Sequence, residues 1–250
     1  MTERSAPKTV RSAVLGLGLA AIAAGAAGAA EAVERRVAER GPVRIEVLAQ
    51  GSGPMEGLTL YDLAEDVAAA VEVDAAGRRG PVVVAGHAFG NWVARALSAV
   101  RPDMVRAVVL LAASIGTDID PGIRSSIDGS FDPALPEEER LRHLRRGYFA
   151  PGNDARVWLG GWHPAVARMQ RAATAATRDR TWQRVADRAP VLYVAAEEDA
   201  IAPPPTLARL QAELGPKVSL AGVPRAGHAL LPERPAETAE ALVRFARSLP

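Results

Sequence analysis

The stretch Pro81-Val-Val-Val-Ala85-Gly86-His87-Ala88-Phe89-Gly90 decides how this sequence folds. Its first half is a continuous apolar run, which is typical of a strand buried on both faces of a parallel sheet. The residues from Asn91 to Val100 have a helical pattern that ends before Pro102. A strand that turns this sharply into a helix leaves no room for side chains at Gly86 and Gly90, and it strains the backbone of the residue between them. The stretch therefore predicts a buried strand, a tight turn and a helix.

The same alternation of strand and helix continues on both sides of this stretch. Apolar periodicity predicts further strands at Val43–Ala49, Arg106–Ala112, Val191–Ala196 and Val218–Ala221. It predicts further helices at Leu60–Val73, Leu207–Leu214 and Ala236–Ser248. Thr59 and Asp62 have the spacing of a capping box for the first of these helices. Such alternation predicts the α/β class, with a mostly parallel sheet flanked by helices.

Residues 115–189 interrupt the alternation. They contain no convincing strand run, and their helical patterns are at Glu137–Arg146 and Ala165–Ala186. An insertion that follows a strand of such a sheet lies over the carboxyl ends of the strands, so we predict a helical lid. The alternative is a helical excursion that only covers hydrophobic surface.

Composition and charge exclude several classes of function. The chain has 250 residues, a formal net charge of +1 and no Cys. A charge so near zero argues against a nucleic-acid partner, and the absence of Cys excludes disulfides, thiolate metal sites and a cysteine nucleophile. The glycines at 16, 18 and 25 follow no strand, so they do not form a dinucleotide fingerprint. We therefore expect no metal and no other cofactor, and a small-molecule substrate or ligand as the partner.

The first 32 residues have the pattern of a secretory leader. A short basic region contains Arg4, Lys8 and Arg11. An uncharged stretch from Ser12 to Ala30 follows, and Ala30-Glu31-Ala32 offers a cleavage site. We therefore predict a leader over residues 1–32, a domain over residues 33–250 and an exported protein, secreted, periplasmic or at the cell surface. An uncleaved membrane anchor is the alternative, but the stretch is weakly hydrophobic for a permanent span, so we expect no stable anchor after cleavage.

The turn from Gly86 to Gly90 resembles the nucleophile elbow of the α/β-hydrolase family, whose pattern is G-x-S-x-G. Ala88 stands where that pattern has Ser. The resemblance covers roughly Val43 to Leu249 and implies the α/β-hydrolase fold. It also implies that the Phe89 N–H is one donor of an oxyanion hole and that His87 packs or donates a hydrogen bond within the elbow.

The resemblance extends to an acid and a base. Asp199 follows the strand at Val191–Ala196, and its spacing to Ile201 and Pro203 matches the D-x-hydrophobic-x-P pattern of the family's acid. Two neighbouring carboxylates compete for this role, Glu197 and Glu198, and a solvated acidic turn is the alternative. His228 lies in Ala226-Gly227-His228, before the last helix. The chain order is then nucleophile position, acid and base, as in the family.

Two departures from the family pattern bear on activity. Ala88 has no hydroxyl group to attack an acyl carbon. The connection Gln50–Leu58 is also short, because the family places a strand, a helix and a further strand there, which need roughly 40 residues. The missing part includes the loop that supplies the second oxyanion donor, and its loss exposes the apolar edge of the elbow strand. A deletion and an evolved minimal sheet are both compatible with this gap.

Three functions are compatible with these residues. The first is an esterase-like hydrolase of small apolar substrates, in which Ala88, natural or introduced, has replaced the nucleophile. The second is an enzyme in which Asp199 and His228 act as a dyad without a serine, on water or on a proton of the substrate. The third is a catalytically dead binding module on the same fold. No pattern in residues 115–189 specifies the substrate.

Overall fold

The coordinates are a computed structural model that describes residues 34–40, 43–49, 56–74, 80–116, 118–160 and 162–250. The predicted leader lies outside these residues, and so do residues 50–55 of the short connection. The predictions about both therefore stay predictions.

Six strands, nine α-helices and one short 3₁₀ helix (Ala155–Trp158) are present in the described residues. The strands are β1 (Glu34–Arg40), β2 (Val43–Ala49), β3 (Val82–His87), β4 (Val105–Leu111), β5 (Val191–Ala196) and β6 (Val218–Val223). The helices are α1 (Leu60–Asp74), α2 (Gly90–Val100), α3 (Pro121–Ser130), α4 (Glu137–Gly147), α5 (Pro164–Ala176), α6 (Val185–Arg188), α7 (Leu207–Leu214), α8 (Leu230–Glu233) and α9 (Pro235–Ser248).

Strands β3 to β6 form one sheet in the order β3-β4-β5-β6, and every neighbouring pair is parallel. Val84 of β3 lies opposite Val108 of β4, and Tyr193 of β5 lies opposite Leu220 of β6. Parallel strands need a crossover connection, and the helices between them supply it. The predicted fold class, a parallel sheet flanked by helices, is confirmed.

Both faces of this sheet are covered, which explains the continuous apolar runs in its central strands. Along β4, Val108 and Leu110 pack with α1, α2 and α7 on one face. Val109 and Leu111 pack on the other face, where side chains of α9 complete the layer. The alternation of side chains along the strand sends successive apolar residues into two separate cores.

The N-terminal end of α1 is held by the predicted capping box. The Thr59 N–H donates to Asp62 Oδ2 at 2.7 Å, and the Asp62 N–H donates to Thr59 Oγ1 at 3.2 Å. A second anchor is distant in sequence, because the Leu60 N–H donates to Thr177 Oγ1 at 2.8 Å. The start of α1 is thereby joined to the chain segment that follows α5.

The helical pattern predicted over Ala165–Ala186 is wrong in extent. The structure ends α5 at Ala176 and begins the short helix α6 only at Val185. Between them, Asp179 Oδ1 accepts a hydrogen bond from the Thr181 N–H at 3.0 Å. Such a side-chain turn competes with the helical hydrogen bonds of the backbone. The structure also adds α3, which starts with Pro121 after the N-cap Asp120 and which the sequence analysis did not predict.

Strand β3 is at one edge of the four-stranded sheet in the described part of the chain, because it pairs with β4 alone there. Val82 and Val83 are partly exposed, whereas Val84 and Ala85 are buried. Strands β1 and β2 pair with each other as an antiparallel hairpin and form a separate sheet. Strand β2 has the bounds predicted from the sequence, whereas β1 was not predicted.

Candidate active site

Three loops at the carboxyl ends of parallel strands carry the predicted site residues. Ala88 directly follows β3, Asp199 follows β5, and His228 follows β6. Because the carboxyl ends of parallel strands lie at the same edge of a sheet, the topology brings these loops together.

Asp199 and His228 form a buried hydrogen bond. His228 Nδ1 and Asp199 Oδ2 are 2.9 Å apart, and the two residues are only 5% and 4% exposed. A carboxylate can only accept, so a neutral His228 carries its proton on Nδ1 and has its lone pair on Nε2. Nε2 makes no hydrogen bond within the part of the chain that the structure describes. The pair therefore has the geometry of an oriented base.

Backbone donors orient the carboxylate of Asp199. Its Oδ1 accepts from the Ile201 N–H and the Ala202 N–H, both at 2.8 Å. The turn after β5 thus leaves the other oxygen, Oδ2, for His228. The two competing carboxylates of this turn, Glu197 and Glu198, have exposed side chains.

Glu233 fixes the loop that carries His228. Its side chain accepts from the Gly227 N–H at 2.7 Å, from the Ala150 N–H at 2.7 Å and from Asn153 Nδ2 at 2.5 Å. Gly227 lies so close to the segment after α4 that an added Cβ would be 2.6 Å from Tyr148 O. Glu233 therefore holds the His228 loop against residues 148–153.

The role of Glu233 was not predicted from the sequence. Its partners are mostly backbone N–H groups, which carry no signature in the sequence. The only available signal was its position five residues after His228, in front of the last helix.

The turn between β3 and α2 has the strained geometry of an elbow. Ala88 has a φ of 50°, in the left-handed region that costs an L-residue roughly 1–2 kcal/mol. A Cβ added at Gly86 would be 2.2 Å from Gly90 O, so a glycine is required there. The side chain at the apex is nevertheless a methyl group, which offers no nucleophile.

The Phe89 N–H lies at the N-terminal end of α2, where Phe89 is the N-cap residue. No hydrogen bond from this N–H is present among the described residues. A helix N-terminus carries a partial positive charge, and an unpaired N–H there is a suitable donor to an anionic oxygen.

His87 donates a hydrogen bond from Nε2 to the backbone carbonyl of His228, over 2.7 Å. Burial, and to a lesser extent the nearby His228 ring, lower the pKa of His87 to about 4. His87 is therefore neutral at pH 7. It connects the elbow to the His228 loop through this one hydrogen bond.

Aromatic side chains of the helical insertion surround His228. The rings of Tyr148 and His228 have centroids 5.8 Å apart, and the ring of Trp158 lies 5.8 Å from Tyr148 and 6.2 Å from His87. Trp162 packs on Tyr148 at 5.1 Å. Burial raises the pKa of the Tyr148 phenol, so Tyr148 stays neutral. The surroundings of the His228 ring are thus largely apolar.

Within the described ranges, no cluster of three or more His, Cys, Asp or Glu side chains is placed to hold a metal ion. In the same ranges, every helix is too short or too polar to cross a membrane.

Comparisons with solved structures identify proteins of the same fold. BpoC of Mycobacterium tuberculosis H37Rv, which bears the name of a non-heme bromoperoxidase, aligns with a TM-score of 0.61 at 24% identity over 82% of each chain. An esterase from Rhodococcus sp. ECU1013 aligns with a TM-score of 0.61 at 18% identity, over 83% of this chain and 81% of the esterase. At these identities the likeness shows the fold alone.

Comparisons of sequence add a short relative and a family. Lipase LipV of Mycobacterium tuberculosis is 42% identical over 67 residues, which are 24% of this chain and 25% of the lipase. The chain therefore matches about a quarter of the length of this relative. The profile of the Alpha/beta hydrolase family matches residues 20–241, most of the chain and part of the predicted leader. The chain belongs to the Alpha/beta hydrolase family.

Proposed function

We propose that this protein is an esterase-like hydrolase of small apolar substrates in which Ala88 has replaced the nucleophile. The observation that carries the proposal is the buried hydrogen bond between Asp199 and His228 beside an elbow of the required geometry. An oriented acid–base pair is needed to remove a proton from a hydroxyl group. Here the pair is retained although the hydroxyl group is absent.

The proposed roles follow from the position of each group. With a hydroxyl group at position 88, His228 Nε2 takes its proton while the oxygen attacks the acyl carbon, and Asp199 stabilises the imidazolium that forms. The Phe89 N–H donates to the developing oxyanion. With Ala88 in place the first step has no nucleophile, so binding and the oxyanion donor leave a residual advantage of about 10³–10⁴-fold over water at most.

The proposed substrate class rests on the aromatic surroundings of His228. Tyr148, Trp158 and Trp162 offer apolar ring faces and edges beside the site. Such surfaces favour apolar acyl or aryl groups over charged ones. The names of the lipase and esterase relatives are consistent with carboxylic esters.

A second candidate function has support of its own. Because Asp199 and His228 are fully oriented without a serine, they could activate water or take a proton from a bound substrate directly. Unlike the first proposal, the dyad needs no serine at position 88. It requires wild-type activity that disappears in His228→Ala.

The test compares the hydrolysis of short-chain aryl esters by wild type and by the single variants Ala88→Ser, Ala112→Ser and His228→Ala. Ala112 is a matched control, since it follows β4 with a similar left-handed φ of 45°. We expect turnover by Ala88→Ser alone. Turnover by wild type that His228→Ala abolishes would establish the dyad. If no variant is active while all unfold cooperatively, the hydrolase proposal is wrong and a binding module takes its place.

Export of the chain stays a prediction from the sequence, because residues 1–32 lie outside the described ranges. Expression in a bacterial host followed by fractionation and N-terminal sequencing tests it. An exported chain that begins after Ala32 agrees with the prediction. A full-length chain in the cytoplasm contradicts it.

A further inference from the structure

A buried arginine lies behind the elbow. Arg95 of α2 is 4% exposed, and none of the ion pairs among the described residues includes it. Its guanidinium stacks on the ring of Trp182 at 4.7 Å and donates from Nη2 to Gln183 O at 3.1 Å. Burial lowers the pKa of Arg95 to about 10, so the group is still charged at pH 7.

Burying a cation without a carboxylate at ion-pair distance is costly, and an apolar side chain could fill the same space at a lower cost in free energy. The hydrogen bonds of Arg95 indicate what the charge does. Its Nη1 donates to Asn91 Oδ1 at 3.2 Å, one turn earlier in α2. Because a guanidinium can only donate, this bond sets the orientation of the Asn91 amide.

The oriented amide acts on the elbow. Asn91 is 1% exposed, and its Nδ2 donates to Ala88 O at 2.5 Å. The Asn91 backbone N–H donates to the same carbonyl at 3.1 Å. The carbonyl at the strained apex is therefore held by two donors, one of which is in contact with a buried cation.

The Ala88 carbonyl and the Phe89 N–H belong to one peptide unit. Donation to a carbonyl polarises the N–H of the same peptide, and each hydrogen bond in such a chain is strengthened by about 10–30%. We propose that Arg95 and Asn91 are positioning residues that orient and polarise the Ala88–Phe89 peptide as an oxyanion donor. This inference rests on the proposed function for its catalytic consequence but not for the interaction itself.

The first test measures the peptide and needs no turnover. The ¹⁵N–¹H spectrum of Arg95→Met is compared with that of the wild-type chain, both with Ala88 in place. We expect the resonance of the Phe89 amide proton to lie upfield in Arg95→Met, which retains an apolar side chain over Trp182. The matched control is Arg101→Met at the C-terminal end of the same helix, where Arg101 pairs with Glu65 at a half-exposed site. An unchanged Phe89 resonance in folded Arg95→Met overturns the proposal, and so does an equal shift in the control.

A second variant protects the test against a failure of Arg95→Met to fold. Asn91→Asp has the shape of Asn91 and offers Arg95 a carboxylate, but its side chain has no N–H to donate to Ala88 O, so only the backbone N–H of residue 91 still donates there. We expect Asn91→Asp to fold and to show the same upfield shift of the Phe89 amide proton. A Phe89 resonance at its wild-type position in this variant also overturns the proposal.

The kinetic test uses the Ala88→Ser background. We expect Arg95→Met to lower kcat about tenfold there with KM unchanged, since a weakened oxyanion donor acts on the transition state alone. An equal loss in Arg101→Met, or a change confined to KM, contradicts a positioning role. If Ala88→Ser has no activity, the proposed function fails, while the spectra still decide whether Arg95 and Asn91 polarise the Ala88–Phe89 peptide.

Discussion

The two halves of the candidate site differ in what they have retained. The half after β5 and β6 has both of its functional groups, and each is buried and held by hydrogen bonds, as Asp199 is by Ile201 and Ala202. The half after β3 has the strained backbone and the crowded glycine of an elbow but a methyl group at its apex. The comparison shows that the backbone geometry of an elbow can be present without a side chain that could attack a substrate. On the proposed function, the elbow lacks the nucleophilic oxygen that the acid–base half would serve.

Of the substitutions that test this difference between the two halves, Asp199→Asn in the Ala88→Ser background is expected to have the largest effect, a loss of ester hydrolysis. The Asn Oδ1 still accepts from the backbone, but its amide now donates toward His228 Nδ1 and favours the wrong tautomer. The loss of this orientation costs about 10⁴ in kcat in a Ser-His-Asp protease. We expect a loss of 10³–10⁴-fold in ester hydrolysis with an almost unchanged melting temperature. Glu198→Gln, at an exposed neighbour, is the control, and a loss below tenfold in Asp199→Asn would show that the acid has no such role.

Glu233→Ala tests whether the His228 loop depends on the hydrogen bonds of Glu233 for its stability. The substitution leaves the buried N–H groups of Gly227 and Ala150 without an acceptor, at about 1–3 kcal/mol each. We expect the free energy of unfolding to fall by about 2–4 kcal/mol in urea denaturation. Glu237→Ala, an exposed carboxylate on α9, should change it by less than about 0.5 kcal/mol. Equal effects of the two substitutions would mean that Glu233 does not hold the His228 loop in place.

His87 joins the two halves, and its titration predicts a dependence of stability on pH. The pKa of His87 is about 4 in the folded chain against 6.5 as the ordinary value. The unfolded chain therefore binds this proton at a higher pH than the folded chain, so stability is lost as pH falls from 6.5 to 4. The loss is at most about 1.4 kcal/mol for each pH unit.

His87→Gln keeps an N–H donor and removes this titration. We expect its free energy of unfolding, measured in urea between pH 7 and pH 4.5, to decrease less than that of wild type. Parallel curves for the two proteins would contradict a neutral, partly buried His87.

The smallest effect is expected from Ala88→Gly, which relieves the left-handed strain of the elbow. Glycine avoids the roughly 1–2 kcal/mol cost of this conformation. Its greater conformational freedom in the unfolded chain lowers the stability by about 0.5–1 kcal/mol. We expect an increase in stability of up to about 1 kcal/mol. Ala99→Gly, within α2, should instead lose about 1 kcal/mol. Destabilisation of the same size in both variants would contradict a strained elbow.

The sequence predicted those features that local patterns determine. Strands β2 and β5 and helix α7 have the predicted bounds, and the capping box at Thr59 is confirmed. Apolar periodicity and capping residues act within a few positions of the chain, so a single sequence displays them. The structure also brings the predicted Asp199 and His228 into contact, while their catalytic roles stay predictions.

Features that depend on contacts distant in sequence could not be predicted. Glu233 binds Ala150, 83 positions away, through a backbone N–H that every residue type but proline possesses. Arg95 reads as an ordinary helix residue, and only the folded chain shows that it is buried beside Asn91 and Gln183. The break between α5 and α6 depends on one short turn at Asp179. The helical pattern of the surrounding residues hid this turn from the prediction.

The most direct measurement of the central claim is covalent labelling by a fluorophosphonate, followed by the intact mass of the protein. In this reaction a hydroxyl oxygen displaces fluoride from phosphorus while His228 takes the hydroxyl proton, so no knowledge of the natural substrate is needed. We predict one phosphonyl adduct on Ala88→Ser, none on wild type or Ala112→Ser, and much slower labelling when His228→Ala is added to Ala88→Ser. A folded Ala88→Ser protein that gains no adduct, or that is labelled equally fast without His228, would contradict the claim that the elbow lacks only its nucleophile.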